Sequence, residues 1–272
     1  MTHQELIKIA KPLGMTEANF HKCVDGSKTE TRRVITIQPP GENYMLSECV
    51  DTTGDRRNIG RLQWIKMNVN KTLVTDQGVY FPVRYKVGDI CYLREPVQLL
   101  TLVLEGGEDE LRFAEGAYMW ESYDQLNNFM RNITNEDHAK LMKRKRGWYA
   151  PTTARFMLKS FARHFVEITG VRAERLQDIT EKSSFAEGIT SRKDAKATYS
   201  GFDTGYAADW SRIGDRCRYA HNGHTLQARD ISLESPRYAY ASLWNSINPK
   251  ENTWDDNPWV WVFSFETVEA TS

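Results

Sequence analysis

The run Trp259-Val260-Trp261-Val262-Phe263-Ser264-Phe265 restricts this chain more than any other stretch. It is apolar at both alternations, so as a strand it has two faces to cover. Such a strand belongs inside a closed or covered sheet rather than on an edge. A second β-rich run, His164 to Leu176, alternates Phe165, Glu167 and Thr169 with Val166, Ile168 and Gly170. A third, Ile90-Cys91-Tyr92-Leu93, follows a turn at Tyr85-Lys86-Val87-Gly88-Asp89 and ends on the charged pair Arg94-Glu95. Val34 to Ile37 reads as a shorter strand closed by Pro39-Pro40-Gly41.

Helix signals separate these runs. Thr16 is placed to cap a helix reaching Val24, with Phe20, Cys23 and Val24 on one stripe and Asp25-Gly26 as its stop. Asp178-Ile179-Thr180-Glu181 has capping-box form, and Phe185-Ala186-Glu187-Gly188 ends the short helix that follows. Ser235-Pro236 opens the clearest helix, with Tyr240, Leu243, Trp244 and Ile247 on one face and Asn248-Pro249 as its stop. The order predicts an α+β fold: a small mixed or antiparallel β-barrel with helices at its ends. Residues 1–14 read as a loosely attached arm. Residues 42–80, 96–150 and 189–234 read as insertions within a single domain over 1–272, with hairpins in the first. The second contains a strand at Gly116–Trp120 and helical spacing from Ser122 to Met142.

Lys+Arg and Asp+Glu both number 36, so net charge drives no general attraction to nucleic acid or membrane. Nucleic-acid contact then depends on a local patch. The four cysteines, Cys23, Cys49, Cys91 and Cys217, form no CxxC pair, so no zinc site or other metal is expected. No signal peptide and no run of about 18 apolar residues is present, which points to a cytoplasmic protein with reduced thiols and no membrane partner. His138, His164 and His221 have no evident partners in the sequence.

The richest polar stretch is Gly26-Ser27-Lys28-Thr29-Glu30-Thr31-Arg32-Arg33. It collects cations and hydroxyls on an apparent turn ahead of a strand. Arg offers a planar fork for phosphate and Lys a point charge, so this turn suits an anionic, hydrogen-bond-rich ligand such as a nucleotide. The alternative is a basic turn with solvated side chains. A second basic and aromatic run, Lys143-Arg144-Lys145-Arg146 with Gly147-Trp148-Tyr149, either tracks a backbone and stacks a base or ends a solvated helix. Trp244, Trp254, Trp259 and Trp261 similarly offer an aromatic core or a stacking platform. Tyr206, Trp210, Arg216, Arg218 and His221 fall in the last insertion, which reads as a long loop or lid.

Four motifs occur in series: Gly26-x-Lys28-x-x-Thr31-Arg32-Arg33, Tyr85 to Asp89 with Leu93-Arg94-Glu95, Val171-x-x-Glu174-Arg175-Leu176-Gln177-Asp178-Ile179-Thr180 with Ala186-Glu187-Gly188, and Leu243-Trp244-x-x-Ile247 with Asn257-Pro258-Trp259-Val260-Trp261-Val262. In this order they resemble the ASCH domain proteins of tailed phages and prophages, members of the PUA-like superfamily. The resemblance implies a PUA-like β-barrel with a ligand cleft under the Gly-x-Lys loop. The ligand class it implies is RNA, or a modified nucleotide or nucleoside. Gly26, Lys28, Thr29, Arg32, Arg33, Arg94 and Trp259 are the expected ligand contacts, and no cofactor is expected.

Some relatives are metal-independent enzymes. Small bacterial ASCH amidohydrolases deacylate N4-acetylcytidine with a lysine, a threonine and a glutamate, and others are reported as ribonucleases. Their pattern matches Gly26, Lys28, Thr29 and Thr31, with Glu187 as the best match for the glutamate and Glu95 as the alternative. In that chemistry Lys28 deprotonates a threonine hydroxyl, which attacks the acyl carbonyl. Three readings therefore stand: a binding module, an amidohydrolase or ribonuclease, and a phage effector whose insertions bind a protein in the host cytoplasm.

Overall fold

The computed structural model describes residues 1–39, 41, 44–48, 61–67, 73–74, 80–95, 97–102, 108–113, 116–119, 136, 140, 153–192, 205–208 and 235–271. The elements in order are α1 (His3–Ile9), β1 (Lys11–Gly14), α2 (Glu17–Val24), β2 (Glu30–Val34), β3 (Tyr44–Glu48), β4 (Leu62–Met67), β5 (Leu73–Val74), β6 (Tyr80–Phe81), β7 (Ile90–Arg94), β8 (Val97–Leu102), β9 (Glu108–Phe113) and β10 (Gly116–Met119). Then follow β11 (Phe165–Arg175), α3 (Glu181–Ala186), β12 (Thr190–Arg192), β13 (Gly205–Ala207), α4 (Pro236–Ile247) and β14 (Trp259–Val268). The fold is α+β, as its patterning predicts. No described sheet closes on itself.

The chain divides into two compact units. The first contains Met1–Thr29, Gly88–Ile168 and Phe265–Ser272; the second contains Glu30–Val87 and Thr169–Ser264. The division falls within β11 and within β14.

In the first unit, β1 runs parallel to β7, and β11 begins antiparallel to β7 on its other side. A separate antiparallel meander joins β8, β9 and β10. Residues 1–14 are not the loose arm their mixed composition suggests. Thr2 and Glu5 complete a capping box, with the Glu5 amide donating to Thr2 Oγ1 and the Thr2 amide to Glu5 Oε2. That start aims Leu6 and Ala10 into a core with Ile90, Tyr92, Met157, Phe161 and Phe165. Leu6 is fully buried, and the His3 ring meets Phe165 edge-on at 5.5 Å. Helix α2 follows expectation: Thr16 Oγ1 accepts from the Asn19 amide, and Gly26 takes φ +77° just beyond the end, a conformation glycine adopts without Cβ strain.

In the second unit the order continues from β11 through β14 to β2. Strand β2 is antiparallel to β14 with Val34 opposite Val260, Arg32 opposite Val262 and Glu30 opposite Ser264. The strand thus lies over Glu30 to Val34 and not over the Val34–Ile37 expected from β-branching. Its ladder partner, not local propensity, sets the limits. After Ile35 the chain leaves the ladder, and Gln38 exchanges side-chain hydrogen bonds with the Trp259 backbone at 2.8 and 3.0 Å. Alternation on β14 sends Val260 and Val262 into a core with Leu176, Ile179, Tyr240 and Trp244. Phe263 meets Tyr85 edge-on at 5.1 Å. Trp244 and Trp261 are buried, which favours the aromatic-core reading for these two.

Helices α3 and α4 start at Thr180 and Ser235, whose hydroxyls accept the Ser183 and Tyr238 amides, with Pro236 at the first turn of α4. On α4, Ile247 is exposed at 46 % although its spacing places it with Tyr240 and Trp244. Parts of the predicted insertions form short antiparallel sheets, β3 to β6 and β12 with β13. The Lys143–Arg146 run, Trp148, Tyr149, Trp210, Arg216, Arg218, His138 and His221 lie outside the described residues, as do Cys49, Cys217 and nearly all of Ser122–Met142. Among the described residues, no helix is long and apolar enough to cross a membrane.

Candidate functional site

The octet does not form a solvated turn. Lys28 is 1 % exposed, Thr31 4 % and Arg32 4 %, while Gly26, Thr29 and Arg33 lie at the surface. Burial of three polar side chains in so short a segment requires partners, because an unpaired buried charge is strongly unfavourable. The predicted residues fall into the two units, and each group has its own surroundings.

In the second unit the organising residue is Arg32. Its side chain has no exposed surface. It donates from Nε and Nη2 to Glu174 Oε1 at 3.0 and 2.5 Å, from Nη1 to Glu187 Oε1 at 3.1 Å, and from Nη2 to Ser183 Oγ at 3.1 Å. The partners come from three places: Glu174 from the end of β11, Ser183 from α3 and Glu187 from the cap just after α3. The Tyr240 ring lies 5.6 Å below the guanidinium, and its hydroxyl donates to Glu187 Oε1 at 3.4 Å.

A second guanidinium extends the network toward solvent. Arg172 forks onto Glu30 at 3.0 and 3.2 Å and also donates to Glu174 Oε2 at 3.1 Å. Ser183 joins both halves, accepting from Arg172 and donating to Glu30 Oε2. Ser264 Oγ donates to Glu30 Oε1 at 3.2 Å. Among the described residues, Arg32 and Arg172 thus face Glu30, Glu174 and Glu187.

The electrostatics follow. Burial alone would push the Glu30 carboxyl up, but hydrogen bonds from Arg172 and Ser183 and the two guanidinium charges outweigh it and hold it below the usual range. Burial works against the Arg32 charge, yet Glu187 and Glu174 raise its affinity for the proton overall. Burial, and then the Glu187 charge, push the Tyr240 phenol well above its ordinary value. The sequence marks Arg32 as a phosphate grip; its donors are instead directed at this chain's own carboxylates and serine. Of the arginines in the octet, Arg33 is the exposed one. Trp259 is half-buried, with the Arg175 guanidinium 5.1 Å from its ring centroid and Trp64 at 5.2 Å, so two of its own neighbours lie against it.

In the first unit Lys28 follows the α2 stop, its amide donating to the Lys22 carbonyl at 2.8 Å. Glu95 is fully buried just past β7, and Arg163 forks onto both its oxygens at 2.9 Å. Arg94, its neighbour, is half-buried at the end of β7. The structure therefore groups Thr31, Arg32, Glu187 and Trp259 in one unit, and Gly26, Lys28, Thr29, Arg94 and Glu95 in the other.

Sequence reasoning gives no site role to Ser183, Tyr240, Arg172 or Arg163. One signal was present: Arg172 and Glu174 sit at i and i+2 on a predicted strand, hence on one face. Among the described residues no group of three His, Cys, Asp or Glu side chains is placed to hold a metal ion. No family model matches the chain, and no curated protein or solved structure matches it significantly.

Proposed function

We propose that this protein binds a nucleic acid or a modified nucleotide in the manner of ASCH and PUA-like proteins, through the Gly26–Arg33 segment. The observation that carries the reading is the burial of Lys28, at 1 % exposure, within a Gly-x-Lys loop. Fully buried lysines are rare in folded proteins and are concentrated where a charge has a specific counterpart. The exposed Thr29 and Arg33 follow it in sequence and bring donor groups to the surface. A PUA-like architecture, one domain with insertions, and a place in the cytoplasm belong to the same proposal.

The test is binding of labelled single-stranded RNA by fluorescence anisotropy across a salt series. Arg33→Ala is expected to weaken binding and to reduce the slope of log K against log salt by about one for each phosphate that the arginine neutralises. Lys28→Met is expected to abolish binding in a protein that still folds. RNA affinity and salt slope unchanged in both variants would refute the proposal.

An amidohydrolase or ribonuclease reading has one observation in its favour: Lys28, Thr31, Glu95 and Glu187 are all buried. Ionisable groups held away from water are over-represented among catalytic residues. Against it, Glu187 and Glu95 each already accept from an arginine of this chain. Turnover of N4-acylated cytidines or of RNA, lost in Lys28→Ala and Thr31→Val, is the outcome that would favour catalysis over binding.

A further inference from the structure

We propose that the exposed turn carrying Arg155 and Phe156, with Lys159 just beyond it, is a second contact for a single-stranded nucleic acid. Phe156 stacks on an unpaired base and the two cations meet phosphates. This rests on the nucleic-acid reading but not on the Gly26–Arg33 segment.

Charge is distributed unevenly along the chain. Lys+Arg and Asp+Glu balance overall, yet the run from His138 to Val166 holds eight lysines or arginines and no aspartate or glutamate. Lys140 and Arg163 pair with Glu136 and Glu95, both from outside that run. A cationic stretch of this kind in a chain of zero net charge is a local footprint for a polyanion.

In the first unit, Ala154–Phe156 forms a 3-10 turn, with the Phe156 amide donating to the Thr153 carbonyl at 2.9 Å. Beyond it Met157, Leu158 and Phe161 turn into the core with Leu6. Phe156 does the opposite: it is 65 % exposed, and the Arg155 guanidinium lies 5.7 Å from its ring centroid. Arg155 is exposed as well. Lys159 is half-buried and donates to the Lys8 carbonyl at 2.9 Å, near the end of α1.

A lone exposed apolar side chain is ordinary. An exposed ring beside a guanidinium, within an acid-free run, offers what a single strand needs: a π-face for a base and charge for its backbone. A duplex keeps its bases stacked and withholds them from the ring. A lipid surface needs an apolar face to enter, and Met157, Leu158 and Phe161 are committed to the core. A single strand is the occupant that fits.

The experiment uses the full chain and fluorescence anisotropy of a short labelled single-stranded RNA of mixed sequence, across a salt series. Phe156→Ala is expected to weaken binding about tenfold with the salt slope unchanged, since stacking releases no counterions, and Phe156→Trp to retain the affinity. Arg155→Ala is expected to weaken binding and to reduce the slope by about 0.7. Both side chains are exposed, and circular dichroism checks that folding is unaltered. Unchanged affinity in Phe156→Ala and Arg155→Ala overturns this contact and leaves the Gly26–Arg33 proposal intact. Losses in those two variants, with Arg33→Ala and Lys28→Met unaltered, support it and refute the role of that segment. Failure of the unaltered protein to bind RNA overturns both; binding to phosphatidylserine vesicles that Phe156→Ala abolishes then identifies a membrane surface as the occupant instead.

Discussion

Arg32→Leu is the substitution that tests the second unit most directly. The arginine side chain has no exposed surface, Glu187 has 4 % and Glu174 has 19 %. Leucine leaves Glu187 enclosed and deprived of the guanidinium 3.1 Å away. Removing one partner of a buried ion pair costs about 3–5 kcal/mol, because the other charge remains in a poor solvent. Glu174 and Glu30 keep Arg172, whose side chain is 43 % exposed, so their share of the loss is small. The expected cost is therefore at the lower end, about 3 kcal/mol. On urea unfolding followed by far-UV circular dichroism, that moves the midpoint down by about 1 M or more. The double variant Arg32→Leu/Glu187→Leu removes both charges and is expected to cost less than Arg32→Leu alone. A single variant within about 1 kcal/mol of the unaltered protein would refute the reasoning, as would a double variant that loses more than the single.

Three other outcomes follow from the same geometry. Glu30 has its folded value lowered, so its contribution to stability is present above the unfolded value near 4.5 and is lost as pH falls through the folded value. Urea midpoints measured from neutral to acid pH should drop in that window, and Glu30→Gln should flatten the drop while lowering the midpoint at neutral pH. The Tyr240 phenol, raised by burial and by Glu187, stays protonated after exposed tyrosines have ionised; an unfolded chain ionises first, so stability falls as pH rises through about 10. Tyr240→Phe should remove that last step from an absorbance titration, and should cost under about 1 kcal/mol because the bond it deletes is long. Leu6→Ala, at a fully buried position, should cost about 2–5 kcal/mol on thermal or urea unfolding; an unchanged midpoint would restore the view of residues 1–14 as a loose arm.

What the sequence determined by itself was local. Thr16, Thr180 and Ser235 begin helices where their hydroxyls reach amides three residues on, and Gly26 and Gly188 stand just past helix ends with positive φ. Strands β7, β11 and β14 were legible because alternation and apolar content are carried by neighbouring residues. The capping box at Thr2 and Glu5 was legible too, in principle, but mixed composition hid it. What only tertiary structure decided was partnership. Arg32 finds Glu174, Ser183 and Glu187 at separations of 142, 151 and 155 residues, and nothing local marks those three as its partners. The extent of β2 was likewise decided by β14, which pairs it at Glu30 to Val34 and so turns an apparent solvated loop into a strand that buries Thr31 and Arg32. Helix caps and alternation are short-range and survive in an isolated peptide. Charge compensation and ladder register exist only after distant segments meet, which is why the role of each arginine waited for the fold.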